Sequence, residues 1–206
     1  MRTIEQRTYN SRKRKRKKRR IKPWVVFCMI LAVFLCAAVW LSGYPHHDYT
    51  GLQIAYNRTA MRRSTWSINY IVIHDTANPN AGADARQHFA FFNSGDQESS
   101  ADFFVDSQEA LQVNDYYRYY TWHCGDGGAE AKIKNRNSIG IEICVNSDGD
   151  YSAAVQRAAV LTRQLMQELH IDIDHVVRHR DASGKDCPGS MSEADWLNFK
   201  AMVLEA

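Results

Sequence analysis

Eighteen consecutive residues near the start of the chain, Trp24 to Leu41, include no charged or strongly polar side chain. As a helix rising about 1.5 Å per residue they would extend about 27 Å, close to the hydrocarbon thickness of a bilayer. Trp24 and Trp40 stand at the two ends of this run, where interfacial aromatic residues belong. Residues 23–42 are therefore predicted to be a transmembrane anchor, which leaves the following residues to fold as a separate unit.

Charge is divided unevenly between the two sides of this apolar run. Residues 1–22 contain twelve of the 26 Lys and Arg residues and one acid, Glu5, whereas the rest of the chain carries a net charge of −8. Positive charge on the N-terminal side predicts a cytoplasmic tail, residues 1–22, attracted to anionic lipid head groups, with the later residues exported. The predicted location is the cell membrane, with a single span and an extracytoplasmic domain.

Read alone, the basic run at residues 11–20 is also compatible with nucleic-acid binding, and it cannot fold by itself because it contains no apolar residue. The apolar run that follows at once argues against such a role, and no nucleic-acid partner is expected. A cleaved signal peptide is the alternative to an uncleaved anchor, although its basic region would be unusually long. Both interpretations place the residues after the apolar run outside the cytoplasm.

Cysteine usage does not indicate a disulfide framework. Cys28 and Cys36 fall within the apolar run, and Cys124, Cys144 and Cys187 form an odd number in the exported part. A domain of this size does not need disulfides for stability, so at least one thiol is available for other chemistry.

Hydrophobic patterning after the anchor predicts a linker and an arm over residues 43–66 and one α/β domain over residues 67–206. Short apolar or alternating runs predict strands, and helical spacing of apolar residues predicts helices. The predicted strands cover residues 70–73, 101–106, 110–113, 119–124, 138–145 and 175–178, and the predicted helices cover 84–93, 151–169 and 191–204. Strands interspersed with helices predict a central mixed β-sheet flanked by helices.

Three residues with metal-ligand atoms stand at the ends of predicted elements. His74 follows the strand at 70–73, His179 follows the strand at 175–178, and Cys187 comes eight residues later. Two imidazoles and a thiolate suit zinc, and a fourth position left to water is typical of a catalytic site.

Other interpretations of these side chains remain open. Each histidine alone is more often a structural residue than a ligand. Cys144 is a conceivable ligand, although a small buried thiol is the simpler interpretation. Asp181 and Asp186 would be alternative oxygen ligands if Cys187 were oxidised.

Five segments, in order along the chain, resemble a known enzyme family. They are YIVIHDTAN (70–78), SADFFVD (100–106), TWHCGD (121–126), NSIGIEICVN (137–146) and VVRHRDASGKDCP (176–188). Over roughly residues 68–206 the chain resembles the zinc-dependent N-acetylmuramoyl-L-alanine amidases, in the branch of autolysins and prophage lysins. This family is related to amidase-type phage lysozymes and to peptidoglycan recognition proteins.

The resemblance implies one zinc ion held by His74, His179 and Cys187, and catalytic roles for Glu142 and Lys185. It implies hydrolysis of the amide bond between N-acetylmuramic acid and L-alanine in peptidoglycan. It also places substrate-binding candidates at three positions, which are Asn78, Trp122 and His123.

Zinc lowers the pKa of a water molecule and polarises the carbonyl that is attacked. Glu142 would move the proton from the water to the departing nitrogen, and Lys185 would stabilise the oxyanion. Alternation along the strand at 138–145 supports Glu142, because its side chain points away from the face of Ile141 and Ile143.

One departure from the family pattern concerns Ala101 and Asp102. The family commonly has His before an aromatic residue where this chain has Asp102, and some phage members have a catalytic tyrosine at the position of Ala101. We expect activity to survive and Asp102 to reshape the substrate groove. The rival interpretation is a non-catalytic peptidoglycan-binding module of the same fold, which is disfavoured because all three candidate ligands are present.

Overall fold

The computed structural model describes residues 60–63, 67–94, 99–125 and 130–206, together with Lys22, Trp24 and Ile30. Nearly all of the predicted basic tail and of the predicted anchor, and the linker as far as residue 59, lie outside the described residues. Within the described part of the chain, no helix is both long and apolar enough to cross a bilayer. The strands and helices given below belong to one unit, residues 49–206.

Seven strands and four α-helices are formed by the described residues. The strands are β1 (Ala60–Arg62), β2 (Tyr70–Asp75), β3 (Phe103–Val105), β4 (Ala110–Gln112), β5 (Tyr119–Thr121), β6 (Ser138–Ile143) and β7 (Val176–Arg178). The helices are α1 (Ala85–Asn93), α2 (Tyr151–Leu169), α3 (His179–Ser183) and α4 (Glu193–Glu205). Short 3-10 helices at Asn135–Asn137 and Ile173–His175 precede β6 and β7.

Five of these strands form a mixed sheet in the order β4-β3-β6-β2-β7. Its central strands are parallel, since β6 pairs in parallel with both β2 and β3, and β2 pairs in parallel with β7. The edge strand β4 is antiparallel to β3. The predicted α/β architecture with a central mixed sheet is therefore confirmed.

The hydrophobic core lies on one face of the central strands. Ile71, Ile73, Ile139, Ile141 and Ile143 are fully buried there. They pack against apolar residues of α2 and α4, among them Ala158, Leu165, Phe199 and Val203. The alternation predicted for β6 is confirmed, because Cys144 lies in a second cluster formed with α1 and β3.

The predicted bounds of the helices hold well, because the residues that begin them are capped. Asp84, Asp150 and Ser192 are the N-caps of α1, α2 and α4, and each side chain accepts a hydrogen bond from the third backbone N–H of its helix. His170 ends α2 in the left-handed conformation, with φ of 55°.

Two differences from the predicted elements affect the position of the site. β1 lies within the segment that the sequence assigned to a linker and arm, and it pairs with β5. Arg63, which follows β1, donates hydrogen bonds to the carbonyls of Tyr119 at 3.2 Å and Ser138 at 2.8 Å. In addition, β2 continues to Asp75, so that His74 lies within the strand and not after it.

Candidate active site

Parallel pairing of β2 with β6 brings the first two site residues together. His74 is directly opposite Glu142 in the register, so both side chains project from the same face of the sheet. The distance from His74 Nδ1 to Glu142 Oε1 is 3.9 Å. On the other side of β2, β7 pairs up to Arg178, and the next residue, His179, begins α3.

The three candidate metal ligands converge at this edge of the sheet. His74, His179 and Cys187 are all buried, and each offers one ligand atom that lies within 4.8 Å of the other two. His74 Nδ1 is 3.6 Å from Cys187 Sγ, and the rings of His74 and His179 are 4.6 Å apart. Ligands of a tetrahedral zinc ion are separated by about 3.5 Å, so this group could hold a metal ion of that kind.

The protonation of these residues also fits a metal site. Burial lowers the pKa of His74 well below its ordinary value, and His123, His179 and Lys185 lower it further. The pKa of His179 is lowered by burial and by Lys185. Both imidazoles are therefore neutral, which is the form that binds metal ions.

One buried atom in the group lacks a partner that a bound metal would supply. Among the described residues, His179 Nδ1 is buried without a hydrogen-bond partner. Burial raises the pKa of the Cys187 thiol to about 12, and a divalent cation favours the thiolate. An unpaired imidazole nitrogen beside a thiol is the arrangement expected of a metal-ligand set.

A cavity of about 380 Å³ opens beside the candidate ligands. Its lining includes Glu142, Lys185 and Asn78, together with Gln87 and Phe91 from α1. Ala77, also in the lining, has φ of 49°, a left-handed conformation that is uncommon for a residue with a side chain. The cavity thus combines a carboxyl group, an amino group, amides and aromatic surface in one groove.

The side chain of Glu142 lies at the boundary between the groove and the protein interior. Its side chain keeps 20% of its surface exposed, and Oε2 is buried without a hydrogen-bond partner among the described residues. Burial raises the pKa of Glu142 to about 8, with a further contribution from Asp75 and an opposing one from Lys185. Such a carboxyl group can hold or release a proton near neutral pH.

Comparison with known proteins agrees with this geometry. The sequence profile of the N-acetylmuramoyl-L-alanine amidase family (Amidase_2) matches residues 64–190. The chain belongs to the N-acetylmuramoyl-L-alanine amidase family. The resemblance proposed from five sequence segments is therefore confirmed.

Two relatives from Bacillus subtilis (strain 168) illustrate the extent of the match to this amidase family. The chain is 42% identical over 137 residues to the amidase XlyA, which covers 65% of this chain and 43% of XlyA. It is 40% identical over 133 residues to the amidase CwlH, which covers 63% of this chain and 50% of CwlH. The chain thus matches half or less of the length of these curated relatives.

Two solved structures share the fold. The catalytic domain of XlyA is 39% identical, with a TM-score of 0.62, and the match covers 69% of this chain and 91% of that chain. The structure of PlyL is 33% identical, with a TM-score of 0.59, and the match covers 69% of this chain and 88% of that chain.

The residues singled out from the sequence fall into two groups in the structure. Glu142, Lys185 and Asn78 line the groove beside the ligand group. Trp122 is 44% exposed and His123 is buried, and neither belongs to the described lining of that groove. Substrate contact by these two residues stays a prediction.

The alternative metal ligands are engaged elsewhere. Asp181 accepts hydrogen bonds from the backbone and side chain of Arg178. Asp186 pairs with Arg180. Cys144 packs in the second apolar cluster.

The expectation that Asp102 reshapes the groove is wrong. Asp102 is fully buried and is not among the described residues that line the groove. Its carboxylate accepts hydrogen bonds from Asn114, Thr121 and the backbone N–H of Gly140. The residue therefore joins the start of β3 to β5 and β6, because a buried carboxylate must satisfy its oxygens within the fold.

Sequence reasoning missed the contribution of the residues behind His74. Ser138 and Asn135 are buried and hydrogen-bond to the side chain or backbone of His123. The alternation of β6 contained a signal for Ser138, which lies on the same face of the strand as Glu142. No sequence signal identified Asn135, because it lies in an irregular connection.

Proposed function

We propose that this chain hydrolyses the amide bond between N-acetylmuramic acid and L-alanine in peptidoglycan, with one zinc ion held by His74, His179 and Cys187. The observation that carries the proposal is the convergence of these three buried ligand atoms beside Glu142, which lines a groove. A bound zinc ion supplies Lewis-acid polarisation of a carbonyl and lowers the pKa of a water molecule. Membership of the amidase family supports the choice of bond.

Glu142 is the proposed general base and acid. Its carboxylate, which lines the groove, accepts a proton from the attacking water as the new carbon–oxygen bond forms. The same proton then passes to the alanine nitrogen as the carbon–nitrogen bond breaks, so that the peptide leaves as a free amine.

Lys185 and the groove surface account for charge and orientation. The Lys185 ammonium group lies at the groove and stabilises negative charge on the carbonyl oxygen. Asn78 and Gln87 offer amide donors and acceptors for a peptide, while Phe91 offers apolar surface. Trp122, which is exposed, is proposed to stack on a sugar ring.

Product analysis tests the proposed bond. The full chain, purified in a mild detergent and loaded with zinc, is expected to release peptides with a new N-terminal alanine from purified peptidoglycan. It should produce no new reducing sugar ends. Reducing ends without free alanine amino groups would show that the bond is misassigned.

The rival function, binding to peptidoglycan without cleavage, is separated by Glu142→Gln. In a hydrolase this change lowers the turnover rate by about 10²–10⁴-fold and leaves sedimentation with peptidoglycan intact. A non-catalytic module would show no turnover in the unchanged chain either.

We also propose that residues 24–41 anchor the chain in the cell membrane, with the N-terminus cytoplasmic and the amidase domain extracytoplasmic. The support comes from the sequence, namely an uncharged run of eighteen residues preceded by a tail of charge +11. The tail is proposed to contact anionic lipid head groups. Protease added to intact spheroplasts should degrade the amidase domain and spare an epitope at the N-terminus, and the reverse result would overturn the orientation.

A further inference from the structure

The nitrogen of His74 that faces away from Cys187 enters a buried hydrogen-bonded chain. His74 Nε2 is 3.0 Å from Nδ1 of His123, and His123 Nε2 is 3.1 Å from Ser138 Oγ. Ser138 Oγ in turn donates to the backbone carbonyl of Lys134 at 2.7 Å. His74, His123 and Ser138 are all buried, so water does not compete for these bonds.

The carbonyl at the end of this chain fixes the direction of every proton. A carbonyl oxygen can only accept, so the single hydroxyl proton of Ser138 points to Lys134. Ser138 Oγ then accepts from Nε2–H of His123, whose Nδ1 is left without a proton and accepts from Nε2–H of His74. The remaining nitrogen of His74, Nδ1, therefore presents a lone pair toward Cys187.

The neighbouring thiol of Cys124 does not disturb this order. Its Sγ is 3.7 Å from Ser138 Oγ, but it is closer, at 3.4 Å, to the carbonyl oxygen of Gly125 and to Oδ1 of Asn135. Both of these oxygens are acceptors, so the thiol has acceptors for its own proton. Ser138 keeps its role between His123 and Lys134.

The second candidate ligand, His179, is held by Cys124, the residue that follows His123 in the sequence. Its imidazole donates a hydrogen bond to the backbone carbonyl of Cys124, and Nδ1 is the ring nitrogen without a partner among the described residues. The donor is therefore Nε2. Both His74 and His179 thus have a proton on Nε2 and an unprotonated Nδ1.

Two further residues, Asn135 and Gly140, hold His123 and Cys124 in position. Asn135 Oδ1 accepts hydrogen bonds from the backbone N–H groups of His123 and Cys124, each at 3.0 Å. The ring of His123 lies against Gly140, where a Cβ atom would come within 2.6 Å of Cγ of the ring. Along one face of β6, Ser138 thus provides a hydroxyl group, Gly140 leaves space for the ring of His123, and Glu142 provides a carboxylate.

We infer that His123, the Cys124 carbonyl, Asn135 and Ser138 form a support cluster that fixes the proton of both ligand imidazoles on Nε2 and reserves both Nδ1 atoms for the metal. This inference rests on the proposed metal site. In the support cluster His123 is a positioning residue that acts through His74. Hydrogen bonds to the far nitrogen of a ligating histidine orient the ring and increase its basicity, and losing one costs about 10–100-fold in metal affinity.

The test compares Ser138→Ala with Thr162→Val in the full chain. Thr162 is also fully buried, and its hydroxyl donates to the carbonyl four residues earlier at 2.7 Å, as that of Ser138 does. Zinc affinity, measured by competition with a chromophoric chelator, should fall about 10–100-fold for Ser138→Ala and stay unchanged for Thr162→Val. Equal affinities in both variants and in the unchanged chain would overturn the inference.

Nitrogen-15 NMR of the histidine rings gives a readout that does not depend on catalysis. In the metal-free chain, His74, His123 and His179 should each carry the proton on Nε2. Ser138→Ala should give a mixture of tautomers at His74 and His123 and leave His179 unchanged. A proton on Nδ1 of His74 in the unchanged chain would refute the support cluster.

Two replacements of His123 cover the case in which Ser138→Ala does not fold. Asparagine at position 123 can place an oxygen acceptor where Nδ1 lies, whereas leucine cannot, so His123→Asn should retain more zinc affinity than His123→Leu. Equal losses would count against the inference. If the unchanged chain binds zinc and cleaves peptidoglycan while these variants bind zinc normally, only the support cluster fails; if the unchanged chain binds no zinc, the proposed function fails.

Discussion

The two faces of the central strands β2 and β6 differ in what their residues do. On one face, Ile73 and Ile141 are fully buried against helices α2 and α4. On the other, His74 and Glu142 lie beside the candidate metal site, and Gly140 makes room for the ring of His123. Successive residues of these strands therefore alternate between packing in the core and facing the candidate metal site.

This difference shows how the core aligns the site. A slip of one residue between β2 and β6 would move the isoleucines out of the core, at a large cost in free energy. The same register that buries Ile73 opposite Ile141 also sets His74 opposite Glu142. The apolar face therefore positions the polar face without touching the groove.

Removal of zinc from the polar face should have the largest effect. Dialysis against a chelator is expected to abolish peptidoglycan hydrolysis, and zinc should restore it. The free energy of unfolding should fall by about 4 kcal/mol relative to a sample with zinc at 1,000 times its Kd. Activity that persists after the zinc content falls to zero would show that hydrolysis on the polar face does not depend on zinc.

Glu142→Gln should lower the turnover rate by about 10²–10⁴-fold, because it removes a general acid and base. Zinc content and the melting temperature should stay close to those of the unchanged chain, since the core face is not altered. A variant that lost both activity and stability would show that the two faces are not independent.

Ile141→Ala should show the opposite behaviour. The residue is fully buried in the core on the strand that carries Glu142, so its truncation should cost about 2–5 kcal/mol of unfolding free energy in urea denaturation. Turnover per folded molecule should be unchanged at a temperature where the variant is folded. A loss of turnover in the folded protein would mean that the core face tunes the site directly.

Cys144→Ala should have the smallest effect. This variant tests whether the residue that follows Glu142 on the same side of the strand contributes to the site. Cys144 shares the side of Glu142 but packs among Ala85, Ala101 and Phe104, away from the ligand group. We expect a loss of about 1 kcal/mol of unfolding free energy and no change in zinc content or turnover. Reduced zinc content would restore Cys144 as a candidate ligand.

The sequence predicts the larger elements well, and the three candidate ligands that it names lie together in the structure. The isoleucines of β6 alternate with a period of two, and this pattern located both the core face and the direction of Glu142. The long helix α2 was predicted over its full observed range, because its apolar residues recur at helical spacing. The identity of the ligand residues came from the resemblance to a family and not from patterning.

Features that depend on contacts between distant segments could not be predicted. β1 has three residues, too few to show a pattern, and it forms by pairing with a strand about sixty residues later. The position of His123 depends on the bare Cα of Gly140 and on the hydroxyl of Ser138, neither of which indicates a partner in the sequence. Asp102 was misplaced for the same reason, since its three donors come from separate parts of the chain.

The parallel pairing of β2 also has a consequence for the order of folding. His74 and Cys187 are 113 positions apart, and β7, which leads into His179, joins the sheet from the later part of the chain. Contacts of such long range form late, after the entropy of closing the intervening loop has been overcome. A growing or truncated polypeptide that ends before Cys187 therefore lacks a complete ligand set. Hydrolysis is expected only after β7 has joined the sheet.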